Sequence, residues 1–186
     1  MEISKLLSGV EFLEKEKPSS KKGNDIKNIK IFLASSAELE KDRREFEIFI
    51  NRQNKSLIKD NIFLELDLWE DFIDAMSQIR LQDEYSNAVL NSDIFVMLFF
   101  TKVGKFTLEE FEAAFGQFKK TNRPFIYTYF KDAPINTGDL KEQDTKSLFA
   151  FKSKLKELEH FHTTCKNIAD LKYQFSEQLK KILPSF

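Results

Sequence analysis

Seven consecutive apolar residues, Ile94-Phe95-Val96-Met97-Leu98-Phe99-Phe100, stand near the middle of this chain. Because every position is apolar, neither face of the segment can be left in water. A short run of this kind is typical of a strand inside a parallel sheet, where helices cover both faces. Asn91-Ser92-Asp93 precedes the run and ends the helix before it. We therefore expect residues 94–100 to form the central strand of a parallel sheet.

Shorter runs on either side predict further strands. These are Ile29–Ala34, Ile62–Leu68, Pro124–Phe130 and a short edge strand at His160–Thr164. In Ile62–Leu68 apolar residues alternate with polar or aromatic ones, which suits a sheet edge or a partly covered strand. About five strands are therefore expected.

Amphipathic segments separate these strands. Helical spacing predicts a helix from the Ser35-Ser36 pair to about Asn54, with Ser35 as the better cap because Glu38 follows three residues later. Further helices are expected at Leu81–Leu90, Thr107 to about Lys119, Ser147–Leu158 and Ile168–Leu183, with a mobile loop at Lys131–Thr145. Alternating strands and helices predict an α/β fold with a doubly wound parallel sheet.

A short N-terminal helical extension is expected before this domain. Ile3, Leu6, Leu7, Val10 and Leu13 have helical spacing, and Lys15–Asn28 reads as a solvated linker. We divide the chain into residues 1–28, the helix and linker, and residues 29–186, the domain.

Composition excludes several classes of function. The 186 residues carry 29 basic and 30 acidic side chains, so no global charge attracts nucleic acid or an anionic membrane. The single Cys165 excludes an internal disulfide, and no apolar run resembles a secretion signal or a membrane span, so we expect a cytoplasmic protein. Five glycines and no Gly-rich loop mean that a nucleotide must be held by other groups. His160 and His162 lack further ligands at a recognisable spacing, so no metal site is expected.

Polar and aromatic residues follow three of the predicted strands. In a doubly wound sheet such loops converge on one crevice. The candidate site residues are Ser35, Ser36, Trp69, Asp71, Thr101, Phe106 and Glu110. Three of them also have simpler interpretations: a cap for Ser35, cover for the edge of the core for Trp69, and a solvated position for Asp71.

The most informative of these segments is Phe106-Thr107-Leu108-Glu109-Glu110-Phe111, which begins a helix just past the central strand. A carboxylate in that position lies where open α/β sheets place their ligands. Thr107 and Glu110 also fit a capping box, in which the Glu only bonds back to the cap backbone. The residues alone leave both interpretations open.

From Ile31 to Phe130 the chain resembles a TIR (Toll/interleukin-1 receptor) domain of the bacterial TIR-like group. The matching pieces are Ile31–Ser36, Asp42-Arg43-Arg44, Glu84–Asp93 and the strand at residues 94–100. TIR domains commonly show Trp-Cys-x-x-Glu-Leu at the helix start, which residues 106–111 resemble position by position. Phe106 and Thr107 replace the usual Trp and Cys, and residues 70–79 lack the Pro-Gly of many receptor relatives.

This resemblance implies a flavodoxin-like fold and cleavage of the nicotinamide-ribose bond of NAD, with Glu110 as the catalytic carboxylate. One carboxylate can suffice because nicotinamide leaves as a neutral molecule. NAD would be held by Ser35 or Ser36, Arg43, Trp69, Asp71, Thr101 and Phe106, with no cofactor beyond NAD as the substrate. The resemblance further implies antiphage defence, homo-oligomerisation through TIR surfaces and an activating partner protein or nucleotide signal, without membrane or direct nucleic-acid binding.

Two other functions fit the same residues. A TIR fold can be an interaction or scaffold module without catalysis, in which case Glu110 is a cap and Trp69 an interface residue. A nucleoside-processing transferase would also use a lone carboxylate on a ribosyl bond, with free nucleosides as its substrates.

Overall fold

The computed structural model describes residues 25–68 and 86–186. Within them five strands form one parallel sheet: β1 (Lys27–Ser35), β2 (Ile62–Leu68), β3 (Ile94–Phe99), β4 (Phe125–Lys131) and β5 (Thr163–Cys165). Their order across the sheet is β2-β1-β3-β4-β5. This is the flavodoxin-like order, so the predicted doubly wound sheet of about five strands is confirmed.

The central position of β3 is also confirmed. It lies between β1 and β4, and all six of its residues are buried. β2 is an outer strand of the described sheet, which is one of the two placements that its alternating pattern suited, and Phe63 on it is 38% exposed.

Helices cover both faces of the sheet. In the described part of the chain these are α1 (Glu40–Leu57), α2 (Lys105–Thr121), α3 (Glu142–Glu157) and α4 (Ile168–Ile182), and residues 86–90 are helical as well. On one face α1 meets α4, where the rings of Phe46 and Phe175 are 5.1 Å apart. On the other face α2 meets α3, where Phe111 and Phe151 are 5.2 Å apart. Successive residues of β1 alternate between the two cores, with Ile31 and Leu33 in one and Phe32 in the other.

Two predicted boundaries in the C-terminal part of the domain are wrong. α3 begins at Glu142 rather than Ser147, so the predicted loop at residues 131–145 was too long. Its first turn is polar and shows no apolar period, but Glu142 and Asp144 there favour a helix N-terminus through the helix dipole. The last strand is Thr163–Cys165 rather than His160–Thr164. The backbone N–H of His160 donates to Leu155 O and closes the end of α3, so it cannot join the sheet.

Three of the predicted segments fall on residues that the structure does not describe, in whole or in part. The N-terminal helix at residues 3–13 and most of the linker lie outside the described residues, as does the start of the helix predicted at Leu81. The linker does end earlier than Asn28, because β1 already begins at Lys27. No helix among the described residues is long and apolar enough to cross a membrane.

Candidate functional site

The carboxyl ends of β1 and β3 lie side by side at one edge of the sheet. Ser35, the last residue of β1, is paired with Leu98 near the end of β3. The loops that follow the two strands are therefore neighbours, although 63 residues separate Glu38 in the first loop from Thr101 in the second.

Glu38 joins these loops. Its Oε1 accepts hydrogen bonds from the Ser36 hydroxyl and from the Thr101 backbone N–H, both at 2.9 Å. Its Oε2 accepts the Thr101 hydroxyl. Sequence reasoning had considered Glu38 only as the capping partner of Ser35, and missed it as a site residue. An acidic side chain in the first loop after β1 was the available signal.

Ser35 is not a helix cap, and that prediction is wrong. β1 continues through Ser35, a 3-10 turn follows at Ala37–Leu39, and α1 begins only at Glu40. Ser36 occupies the cap position of the turn without a capping hydrogen bond from its side chain. The Ser35 hydroxyl instead accepts a hydrogen bond from Arg43 Nη1 at 2.8 Å, and the same nitrogen donates to Ser36 O at 2.8 Å.

Arg43 and Arg44 point in different directions, as expected for adjacent residues of a helix. Arg43 is only 2% exposed and holds the end of β1, whereas Arg44 lies in solvent and pairs with Glu40 at 2.7 Å. A role for Arg43 towards a phosphate stays a prediction. Next to Arg43, Asp42 pairs with Lys131 at 2.9 Å and thereby ties α1 to the carboxyl end of β4.

The capping-box interpretation of Glu110 is wrong. α2 begins at Lys105 with Gly104 at the cap position, so Thr107 is already the third residue of the helix. A capping box needs Thr at the cap itself and Glu at the third helical position. Glu110 is the sixth residue and lies beyond reach of the cap.

Glu110 lies on the buried side of α2. It shares that side with Thr107, Phe111 and Ala114, which have the spacing of one helix face. The residue is 7% exposed, while its neighbour Glu109 is exposed. Its carboxylate forms no hydrogen bond or ion pair with any other residue that the structure describes. Burial, and to a lesser degree the charge of Glu109, raises the pKa of Glu110 to about 7. A buried carboxyl group without a partner can therefore change its protonation state near neutral pH.

The predicted site residues fall into three groups. Ser35, Ser36, Arg43 and Thr101 belong to one hydrogen-bonded network, which Glu38 completes. Glu110 stands apart from that network, on the helix that follows the Thr101 loop. Phe106 lies in the first turn of α2, and Trp69 and Asp71 are outside the described residues.

The histidines and the cysteine have structural contacts. His160 Nε2 lies 3.0 Å from the Thr128 hydroxyl, and the His162 ring packs edge-on against Phe130. Burial raises the pKa of the Cys165 thiol to about 11, so it stays protonated. In the described ranges, no three His, Cys, Asp or Glu side chains are grouped closely enough to hold a metal ion.

Comparison with solved structures adds a likeness in fold. No family model matches the chain, and no curated protein matches it significantly. The chain is similar in fold to a chain in the crystal structure of the RPS4 and RRS1 TIR domain heterodimer, with a TM-score of 0.43 and 9% sequence identity. The match covers 83% of this chain and 97% of that one. We assign the fold class from the strand order of the sheet and not from this likeness.

Proposed function

We propose that this chain is a TIR-type enzyme that cleaves NAD, as a glycohydrolase or a cyclase, with Glu110 as its catalytic carboxylate. The observation that carries the proposal is the burial of Glu110, without a partner among the described residues, on the helix that follows the central strand. The likeness of residues 106–111 to the TIR motif supports the same assignment.

The chemistry suits a single carboxylate. Nicotinamide leaves the ribose C1′ as a neutral molecule and takes the electron pair of the glycosidic bond, so no acid is needed to protonate it. The ribose is left with oxocarbenium character, which an ionised Glu110 stabilises in a partly dry site. Addition of water at C1′ and loss of a proton gives ADP-ribose in hydrolysis, and attack by an adenine nitrogen of the same molecule gives the cyclic product.

A pKa of about 7 for Glu110 supports this role. An unpaired buried carboxylate is costly when charged, and the positive nicotinamide ring of bound NAD supplies the charge that favours its ionised form. The attraction between Glu110 and the substrate is strongest in the transition state, when positive charge moves onto the ribose. Only interactions that strengthen in the transition state accelerate a reaction.

The network at the ends of β1 and β3 is proposed to hold the rest of NAD. The loop after β1 precedes a helix, a position where backbone N–H groups favour phosphate oxygens. Ser35, Ser36, Arg43 and Thr101 surround that loop, and we propose that Phe106, Trp69 and Asp71 complete the site. We also propose that the enzyme acts in antiphage defence and is activated by self-association.

Two neighbouring carboxylates provide the test. Glu110→Gln keeps the size of the side chain and removes its charge, so nicotinamide release from NAD should fall by about a hundredfold or more. Glu109→Gln is the matched control, one residue away and exposed, and should retain most of the activity. The assay follows nicotinamide by chromatography at high protein concentration with a crowding agent, because activity is proposed to need association. Wild-type rates in Glu110→Gln would reject the assignment.

A further inference from the structure

A groove lies along the second half of α3. Phe149, Lys152, Ser153 and Lys156 form one stripe along α3, and the segment 159–162 runs beside them. Together they line a depression of about 740 Å³ that is open to solvent, and this volume is within the range of pockets that hold small ligands. We name this cavity the α3 groove.

The chain turns sharply to form the second wall of the groove. Glu159 has a left-handed backbone, with φ of 54°, and its N–H donates to Lys156 O at 3.1 Å. The next N–H, of His160, donates to Leu155 O at 2.9 Å. This is the geometry of a helix-terminating motif that usually takes Gly at the left-handed position. The turn fixes His160 against Thr128 and places the following Phe161 at the surface.

Two phenylalanines at the groove are left in water. Phe161 is 94% exposed and Phe149 is 63% exposed. Neither ring contributes to the core, and a large exposed aromatic side chain is more informative than an exposed aliphatic one because its flat surface can stack on another ring.

The lysines of the groove are free to bind an anion. Of the four lysines on α3, Lys146 pairs with Glu142 and Lys154 pairs with Glu112. Lys152 and Lys156, the two in the groove, form no ion pair with any described carboxylate; Lys152 lies over the Phe130 ring at 4.6 Å. Glu159 is the one acidic residue among those that line the cavity.

We propose that the α3 groove binds a nucleoside monophosphate, with the base against Phe161 and Phe149 and the phosphate on Lys152 and Lys156. The ligand must combine a flat ring with an anion, since the groove offers exposed rings beside unpaired cations. Its volume suits one nucleotide. Glu159 adds an acceptor for an amino or hydroxyl group. The site is distinct from the proposed NAD site, because it is built from α3 and the segment after it rather than from the ends of β1 and β3.

Calorimetric titration of the full chain with AMP tests the proposal. AMP should bind, while adenosine, which lacks the phosphate, and inorganic phosphate, which lacks the ring, should each bind at least about tenfold more weakly. Phe161→Ser removes the more exposed ring and Lys156→Glu reverses one charge, so each should weaken AMP binding about tenfold or more. Because Phe161 is almost fully exposed, its replacement leaves the core intact.

Matched controls separate the groove from the rest of the surface. Tyr173→Ser removes a ring that is 68% exposed on α4, and Lys146→Glu reverses a charge elsewhere on α3; both should leave AMP binding unchanged. Phe161→Ser should release nicotinamide at the wild-type rate, and Glu110→Gln should bind AMP in the groove as wild type does. The two proposals can therefore fail separately. The groove proposal is overturned if AMP does not bind at millimolar concentration, if Phe161→Ser and Lys156→Glu bind it as wild type does, or if only a single-stranded oligonucleotide binds.

Discussion

Thr101 donates two hydrogen bonds to Glu38, one from its backbone N–H at 2.9 Å and one from its hydroxyl. The pair connects the loop after β1 to the loop after β3. Since Ser36 donates to the same carboxylate, Glu38 fixes the relative positions of two loops that are proposed to contact the substrate.

Replacing Glu38 with Ala should therefore affect both activity and stability. Loss of three hydrogen bonds to one carboxylate should lower the free energy of unfolding by about 1–2 kcal/mol and NAD cleavage by about tenfold. Urea unfolding and nicotinamide release measure the two effects. Glu40→Ala is the control, because the exposed pair of Glu40 and Arg44 should contribute less than about 0.5 kcal/mol. Full activity in Glu38→Ala would show that the loops do not need this connection.

Glu110 should make stability depend on pH. Its pKa is about 7 in the folded chain against an ordinary 4.5, so the folded state holds the proton more tightly. The resulting stabilisation is fully present below about pH 4.5. It is lost as pH rises to about 7, because the unfolded chain gives up its proton first; the loss is at most about 3 kcal/mol.

Glu110→Gln should remove this dependence. Relative to wild type, the variant should gain stability between pH 5 and pH 8 in urea unfolding, since other groups titrate alike in both proteins. Parallel pH profiles for the two proteins would mean that Glu110 is not buried as described.

Arg43 and Arg44 form a matched pair of neighbours. Arg43→Met should lower the free energy of unfolding by about 2–4 kcal/mol, because it removes buried hydrogen bonds to Ser35 and Ser36. Arg44→Met should change it by less than about 0.5 kcal/mol. If the Arg43 variant folds, a raised KM for NAD would support contact with the substrate, and an unchanged KM would restrict Arg43 to a structural role.

Trp69 is expected to stack on a ring of NAD, since it directly follows β2. Trp69→Ala should weaken the use of NAD by about 1–3 kcal/mol, and Trp69→Phe should restore much of it because a ring remains. The measurement is kcat/KM for nicotinamide release. Equal destabilisation of both variants at unchanged specific activity would instead identify a core residue.

The N-terminal segment is predicted to promote association. Leu6 and Val10 lie on one apolar face of a predicted helix too short to be stable alone. Leu6→Asp combined with Val10→Asp should lower oligomer mass in light scattering and reduce NAD cleavage together. Lower thermal stability at unchanged mass would place this helix against its own domain and exclude it from assembly.

The architecture was predictable because its signals are local and strong. The apolar run at residues 94–100 favoured a doubly covered strand, and the alternation of Ile62–Leu68 suited an edge or a partly covered strand. Helix starts were less predictable. At α2 the cap is Gly104, which has no side chain that could mark it as a cap in the sequence. The Thr107 hydroxyl three residues later therefore suggested the wrong cap.

Only part of the candidate site could be predicted, because the rest depends on which strands and helices are neighbours. Ser35 and Thr101 were named from their positions after predicted strands and Arg43 from the family resemblance, and the structure places all three in one network. The role of Glu38 depends on β1 and β3 being neighbours, which is a property of the strand order rather than of any local pattern. The depth at which Glu110 is buried likewise depends on how α2 packs against the sheet.

The two outer strands of the sheet have a consequence for how copies of the chain can meet. In the described part of the sheet β5, at one side, has only three residues, and β2, at the other, carries Glu65 and Asp67. Short or charged edges discourage pairing with a strand of another molecule. We therefore expect copies gathered at high local concentration to join through helix and loop surfaces, in contacts that can reverse, rather than by growth of a continuous sheet into fibrils.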